Sequence, residues 1–333
     1  MKKEIIAIII LITFSLGCIS ENADSTDELV TDIEQQLPEE TYANDSKLTN
    51  ETVNANDPNV NEPITTENTS IENEIISDET IRVGAFNVQV FGVTKASKPE
   101  VMEVLADIIR TYDIVAIQEI RDKSQTALPS LVDLVNSDGS EYDYVVSERL
   151  GRTSSKEQYA YVYDTQTISV SDSYTYPEPN GTDPFHREPF VTSIEALHGD
   201  YTATLAVIHT DPDEAAVEIN ALDDVLSYAQ SQNPGEDDFI IMGDLNADGS
   251  YFDEDGTSDL DSYYWVIDDS QDTTTKSTNY TYDRIILTDG SDIVGESGVF
   301  RFDLIYGLDE DMTINVSDHY PVFVEFLLNQ GIE

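Results

Sequence analysis

Cations, cysteines and histidines are all scarce in this chain. Lys and Arg total 16 of 333 residues against 67 Asp and Glu, a formal charge of -51. That balance argues against ordinary long-range attraction to nucleic acid. At roughly 1 M salt, however, the Debye length is only about 3 Å. An acidic, Lys-poor surface then repels little, and we expect a protein adapted to concentrated salt. The single cysteine, Cys18, excludes an intramolecular disulfide and any cysteine-based metal motif. There is no Gly-rich phosphate loop of either common type. Only four histidines occur: His186, His198, His209 and His319.

The first 79 residues do not read as foldable. Met1-Lys2-Lys3 precedes an almost unbroken apolar run from Ile5 to Leu16, and Gly17-Cys18 follows. The run is short for a spanning helix, which takes about 20 apolar residues. Residues 1–18 read as an export signal with a lipoprotein-type site, Cys18 becoming the lipidated first residue. The alternative is a plain signal anchor. Either way the protein is expected outside the cytoplasm, lipid-anchored at the cell surface or secreted. Residues 19–79 are rich in Asp, Glu, Asn, Thr and Ser and nearly free of aromatics. They bury too little apolar surface to offset their ordering entropy and read as a disordered acidic tether.

A folded domain is expected over residues 80–330. Strand patterns run at 81–86, 113–118, 142–146, 158–163, 168–174, 189–194, 202–208, 239–242, 283–287 and 322–328. Helical spacing is present at 100–112, 128–135 and 213–230, with Pro99 placed for a first turn. Strands outnumber interspersed helices, which indicates an α+β layered domain with sheets packed face to face.

Short polar clusters stand at the ends of these strands: Phe86-Asn87, Gln118-Glu119, Ile208-His209, Asp244-Leu245-Asn246 and Asp318-His319. Carboxylates, carboxamides and two imidazoles suit a hard divalent cation and a phosphate ester. Each also has a plainer reading. Asp244 and Asn246 are common turn residues. Glu119 has a possible ion-pair partner in Arg121. His198 reads as part of a hairpin turn and His186 as a surface residue.

The pattern resembles the deoxyribonuclease I family, within the endonuclease/exonuclease/phosphatase superfamily. The resemblance is carried from Ala85-Phe86-Asn87-Val88 and Tyr112 to Asp122, through Tyr144 to Glu148, Leu150-Gly151-Arg152 and Lys156-Glu157. It continues in Arg187-Glu188-Pro189, Met242 to Asp248, Asp272 to Asn279, Tyr282-Asp283-Arg284 and Ser317 to Val322. It implies a four-layer sandwich of two packed mixed β-sheets flanked by helices. It also implies hydrolysis of DNA to 5′-phosphate and 3′-hydroxyl ends by a monomer. Carried over residue by residue, Glu119, Asn87 and Asp318 would surround Mg²⁺ or Mn²⁺. Asp244 and Asn246 would orient the phosphate and the attacking water. His319 would pair with Asp283, and His209 with Glu157, as acid/base couples whose division of labour stays open. Arg121, Arg152, Lys156 and Arg187 match positions that meet DNA.

The resemblance also implies two structural Ca²⁺ sites, one at Asp272, Thr274 and Thr278 and one at Asp183, Glu188 and the Phe185 carbonyl. Several positions depart from the family pattern. Gln89 replaces an arginine, Ser155 replaces a minor-groove tyrosine, and Lys276 intrudes on the first calcium loop. Gly249 and Tyr280 stand where the family has a disulfide. Two other expectations remain beside an exported endonuclease. One is a phosphodiesterase or phosphatase of the same superfamily acting on lipid headgroups or nucleotides. The other is a non-catalytic surface binding protein.

Overall fold

The computed structural model describes residues 80–328 apart from 180, 255 and 289–292. The export signal, Cys18 and the acidic tether lie outside the described residues.

The strands, in chain order, are β1 (Thr80–Phe91), β2 (Ile114–Ile120), β3 (Tyr142–Val146), β4 (Gln158–Asp164), β5 (Ile168–Thr175) and β6 (Phe190–Ala196). They continue with β7 (Thr202–His209), β8 (Phe239–Asp244), β9 (Tyr264–Trp265), β10 (Asp283–Leu287), β11 (Ile293–Val299) and β12 (Val322–Leu327). The helices are α1 (Val93–Ala96), α2 (Pro99–Ile109), α3 (Ala127–Val135), α4 (Ala215–Asn220), α5 (Leu222–Gln232), α6 (Phe302–Tyr306) and α7 (Glu310–Val316). One six-stranded sheet runs β11-β12-β1-β2-β4-β3 and the other β5-β6-β7-β8-β10-β9. Each mixes one parallel pair, β1/β2 or β7/β8, with antiparallel neighbours.

Alternation along the strands builds the layers. Ile81, Val83 and Ala85 of β1 face Leu205 and Val207 of β7, Ile240 and Met242 of β8 and Ile285 of β10 across the central core. The opposite faces, with Phe86 and Val88 in one sheet and Ile241 and Ile286 in the other, pack beneath helices. α2 buries Val101, Leu105, Ile108 and Ile109 on one sheet, and α5 buries Leu222, Val225 and Leu226 on the other. Strands covered on both faces read as continuous apolar runs, as Ile114 to Ile117 does. This is the expected four-layer α+β sandwich.

The expected helix at 213–230 is two helices. The Ala221 N–H bonds both the Val217 and Glu218 carbonyls at 3.1 Å, with ψ near -5°, and the chain turns there. The expectation of buried central strands missed β9 and β11, which lie at sheet edges.

Gly243 fixes the distance between the central strands of the second sheet. Its φ is +133°, and a Cβ there would stand 2.0 Å from the Ile208 carbonyl oxygen. Only glycine allows β7 and β8 to approach so closely at the point where His209 and Asp244 leave the sheet. Arg284, fully buried on β10, donates to the Ile267 and Ala247 carbonyls and pairs with Asp269 at 2.9 Å and with Glu254. These contacts fasten the segment around Gly249, where the family pattern has a covalent bridge.

Candidate active site

Parallel strands end where antiparallel neighbours begin, so one rim collects groups from distant parts of the chain. The ends of β1, β2, β7 and β8 bring Asn87, Glu119, His209 and Asp244 there. Asp283 opens β10, Glu157 precedes β4, and Asp318-His319 precedes β12. His209 and Asp283 are both register partners of Asp244. The sequence-expected catalytic residues therefore meet around Asp244.

Two imidazoles face this carboxylate. His209 Nδ1 lies 3.0 Å from Glu157 Oε1, and its Nε2 lies 3.5 Å from Asp244 Oδ2. His319 Nδ1 lies 2.7 Å from Asp283 Oδ2, and its Nε2 lies 3.6 Å from the same Asp244 oxygen. Each ring thus has one nitrogen held by a buried carboxylate and the other turned into a shared space. A hydrogen bond to Asp283 fixes Nδ1 of His319 and an ion pair with Glu157 faces Nδ1 of His209, which leaves each Nε2 for proton transfer.

The surroundings of the two pairs differ. Burial pushes the Glu157 carboxyl up, but His209 and Arg187 outweigh it and bring it down to about 2. Arg187 Nε is 2.5 Å from Glu157, and its guanidinium also donates to the His209 and Thr210 carbonyls. Burial pulls His209 down, and Glu157 and Asp244 lift it above its ordinary value. His319 is likewise opposed by burial, but Asp283, Asp244 and Asp318 raise it to about 10. Burial raises Asp283 despite its imidazole partner.

Asn246 Nδ2 donates to the Thr210 carbonyl, and its backbone N–H donates to Asp244 Oδ1, at 3.1 Å each. Asn87 Nδ2 stands between two carboxylates, 2.9 Å from Asp244 and 3.4 Å from Glu119. Glu119 takes the Val90 N–H at 2.8 Å. Gln89, Val90, Glu119 and Asn246 all have positive φ, four of the seven non-glycine residues that do so among those described. Backbone strain concentrated at one rim is characteristic of functional sites.

Asp318 lies 3.9 Å from His319 Nε2 and is held by Lys276 Nζ at 2.8 Å. The anions Glu119, Asp244, Asp283 and Asp318 gather beside two permanent cations, Arg121 and Lys276, and the two imidazoles, and such a cluster of carboxylates suits a hard divalent ion. Asn87, Glu119 and Asp318 offer oxygen donors of the right chemistry. Beside them, Asp244, Asp283 and His319 offer possible ligand atoms within 4.8 Å of one another.

Lys95 was not among the residues expected at the site. Its buried ammonium donates to the Val88 carbonyl at 2.9 Å and the Val316 carbonyl at 2.7 Å. It ties the backbone beside Asn87 to the turn carrying Asp318. Ser317 Oγ adds a 2.6 Å bond to the Asn87 carbonyl.

The expected DNA-facing cations divide. Lys156 is exposed. Arg121 lies 3.8 Å from Glu119 and donates to Ser155 Oγ. Arg152 pairs with Asp183 at 2.8 Å and Glu214 at 3.0 Å. Arg187 is only 6% exposed: it pairs with Glu157 and donates to the His209 and Thr210 carbonyls. His186 is also not a surface residue, since its side chain is 14% exposed and lies 3.5 Å from Asp211.

Of the loops expected to hold calcium, the first has the Thr274 backbone N–H donating to Asp272 Oδ1, with the one Thr274 hydroxyl in reach of both that oxygen and the Thr278 carbonyl. Thr274 pairs with His319 across an isolated bridge, so this loop adjoins the site. The other loop gains a residue missed from sequence. Glu178 Oε1 is buried without a hydrogen-bond partner, at φ +49°. Burial, Asp183 and Glu188 push its carboxyl up, and the Phe185 backbone N–H donates to it. The signal was an acidic residue inside Pro177-Glu178-Pro179, where only tertiary packing shows the convergence.

Residues 84–319 match the Endonuclease/Exonuclease/phosphatase family. Deoxyribonuclease-1 of Bos taurus is 40% identical over 258 residues, covering 73% of this chain and 91% of its own length. Deoxyribonuclease gamma of Mus musculus is 38% identical over 270 residues, covering 75% and 85%. The catalytic domain of human Nocturnin shares the fold at 18% identity, with a TM-score of 0.53 over 74% of this chain and 94% of its own. A family protein from Bacteroides thetaiotaomicron does so at 15% identity and a TM-score of 0.53, over 76% and 99%. The chain belongs to the endonuclease/exonuclease/phosphatase family, as a deoxyribonuclease I-like member.

Proposed function

We propose that this chain is an exported, Mg²⁺- or Mn²⁺-dependent endonuclease that hydrolyses DNA and works in concentrated salt. The observation that carries the reading is the pair of carboxylate-held imidazoles, 3.5 and 3.6 Å from one oxygen of Asp244. The similarity to deoxyribonucleases over most of the chain supports DNA as the substrate.

In this reading a phosphodiester sits between the two rings. One imidazole Nε2 takes a proton from water as the water oxygen bonds to phosphorus. The other gives a proton to the departing 3′ oxygen as the P–O3′ bond breaks, leaving a 5′-phosphate. Glu157 and Asp283 hold the Nδ1 atoms and steady each imidazolium. Asp244 and Asn246 orient the water and phosphate. Asn87, Glu119 and Asp318 would hold the divalent ion, which would supply positive charge against the negative charge that builds on the phosphoryl oxygens. Ca²⁺ is assigned to the loops at Asp272, Thr274 and Thr278 and at Asp183, Phe185 and Glu188, joined by Glu178. The protein acts as a monomer, carried at the cell surface by a lipid on Cys18 or released.

Plasmid nicking tests the reading, in Mg²⁺ and Ca²⁺ from low salt to molar KCl. His209→Ala and His319→Ala should each cut the rate about 10²- to 10⁴-fold, the usual range for a general acid or base, and wild-type activity should rise toward molar salt. An intact plasmid alongside turnover of a phospholipid or nucleotide would transfer the activity to another phosphoester. No turnover of any of them would leave a binding protein. An optimum well below seawater strength would remove the salt adaptation.

A further inference from the structure

Three tyrosines lead outward from His319. The Tyr282 ring centroid lies 6.3 Å from that of His319. Tyr280 stacks on Tyr282 at 5.1 Å, with 14° between the planes. Tyr251 flanks Tyr282 at 5.8 Å and 45°. Tyr251 is 37% exposed, and Tyr280 and Tyr282 are partly exposed. Among the described residues, the buried apolar clusters leave all three out. They pack on one another at the surface and fill no core.

Gly249 makes room for this row. A Cβ there would stand 2.9 Å from the Tyr280 ring, and its φ of +66° suits glycine. Gly249 and Tyr280 therefore act together, one yielding the space that the other fills. Arg284 already fastens this segment through two carbonyls and two carboxylates. The tyrosines are not needed as its staple.

Charge makes the row useful. Phosphate contacts weaken steeply with salt, because they act through counterion release. A chain with 16 cations in 333 residues has few such contacts to begin with. Stacking of a base on an aromatic ring is insensitive to base identity and needs no cation. Bases inside a duplex are already stacked on each other and do not reach a protein ring.

We propose that Tyr282, Tyr280 and Tyr251 form a base-stacking subsite, which holds an unpaired base of single-stranded DNA beside the phosphate being cut. The inference rests on the nuclease reading above and extends it to single strands and frayed ends.

The test compares a single-stranded oligonucleotide, the same strand with abasic positions, and a hairpin duplex, each in molar KCl with Mg²⁺. Tyr251→Ala and Tyr280→Ala should raise KM for the base-bearing single strand by roughly fivefold or more, the low end of one stacked base. KM for the duplex and the abasic strand should stay within about twofold. Tyr280→Phe keeps the ring face and should match wild type on all three. Thermal midpoints of the variants separate lost stacking from lost folding. Equal losses on all three substrates, or wild-type KM values that ignore the missing bases, overturn the subsite and leave the nuclease standing. Wild type that cuts none of the three overturns the nuclease reading itself, and the subsite with it.

Discussion

The two halves of the rim are built alike and charged differently. Around His209, the carboxylate Glu157 is answered by a buried internal cation, Arg187. Around His319, Asp283, Asp244 and Asp318 face the ring, and the nearest ammonium, Lys276, is half exposed and touches only Asp318. Glu157 is accordingly held down to about 2, whereas Asp283 is raised. The first half is electrostatically complete before anything binds. The second answers its carboxylates with an exposed ammonium and with the His319 ring itself, and it adjoins the expected metal ligands, so a bound cation acts on this half.

Removing the internal cation should break the comparison most severely. Arg187→Met leaves the buried Glu157 with the His209 ring as its one remaining close partner among the described ion pairs. Breaking a buried pair by removing one partner costs about 3–5 kcal/mol. For a domain of this size that lowers the thermal midpoint by roughly 6–20 °C. Lys276→Met removes a cation that is 53% exposed, from the other half. An exposed pair contributes about 1 kcal/mol or less. Calorimetry of the two variants side by side reads the contrast directly, and equal shifts would show that the halves do not differ as described.

A finer probe separates the roles of the rings. Glu157 raises His209, so Glu157→Gln should lower the His209 pKa. If His209 is the base, the acid limb of the pH–rate profile moves to lower pH. If it is the acid, the alkaline limb moves the same way. The limb that moves assigns the role that the geometry leaves symmetric, and a profile in which neither moves would separate His209 from proton transfer.

Much of this site was legible because its residues end apolar runs. Asn87, Glu119, His209, Asp244 and His319 each interrupt a buried strand pattern, and a polar group in that position needs a reason. The strands that a sheet covers on both faces were legible for the same cause. Lys95, Glu178 and the true place of Arg187 were not. Lys95 sits in a four-residue helix, and its partner Val316 is 221 positions away. Arg187 stands among charged neighbours that suggest a surface, and only packing against Glu157 and the His209 carbonyl reveals it as internal. The break at Ala221 was equally hidden, since the apolar spacing continues across it. β11 carries Gly295 and Gly298 and little alternation, so pairing with β12 alone defines it.

A further contrast lies between the acid and alkaline flanks of stability. Glu157 has a folded value of about 2, below its unfolded 4.5, so its contribution is complete above pH 4.5 and is lost as pH falls toward 2. His319 is raised from 6.5 to about 10. Its contribution is complete below pH 6.5 and is lost as pH rises toward 10, through deprotonation in the anionic half. The two windows do not overlap, but His209 adds to the alkaline one and Asp318 to the acid one, so the variants rather than the windows isolate each residue. Between pH 6.5 and 10 the wild-type thermal midpoint should fall faster than that of His319→Gln, which has no imidazolium to lose. Between pH 4.5 and 2 the same two proteins should fall in parallel, while Glu157→Gln falls less. Metal-free protein is the right sample, because a cation beside Asp318 and Asp244 would pull His319 back down and flatten the alkaline slope. Adding Mg²⁺ should therefore flatten the alkaline slope, and an alkaline slope that Mg²⁺ does not change would separate His319 from the cation site.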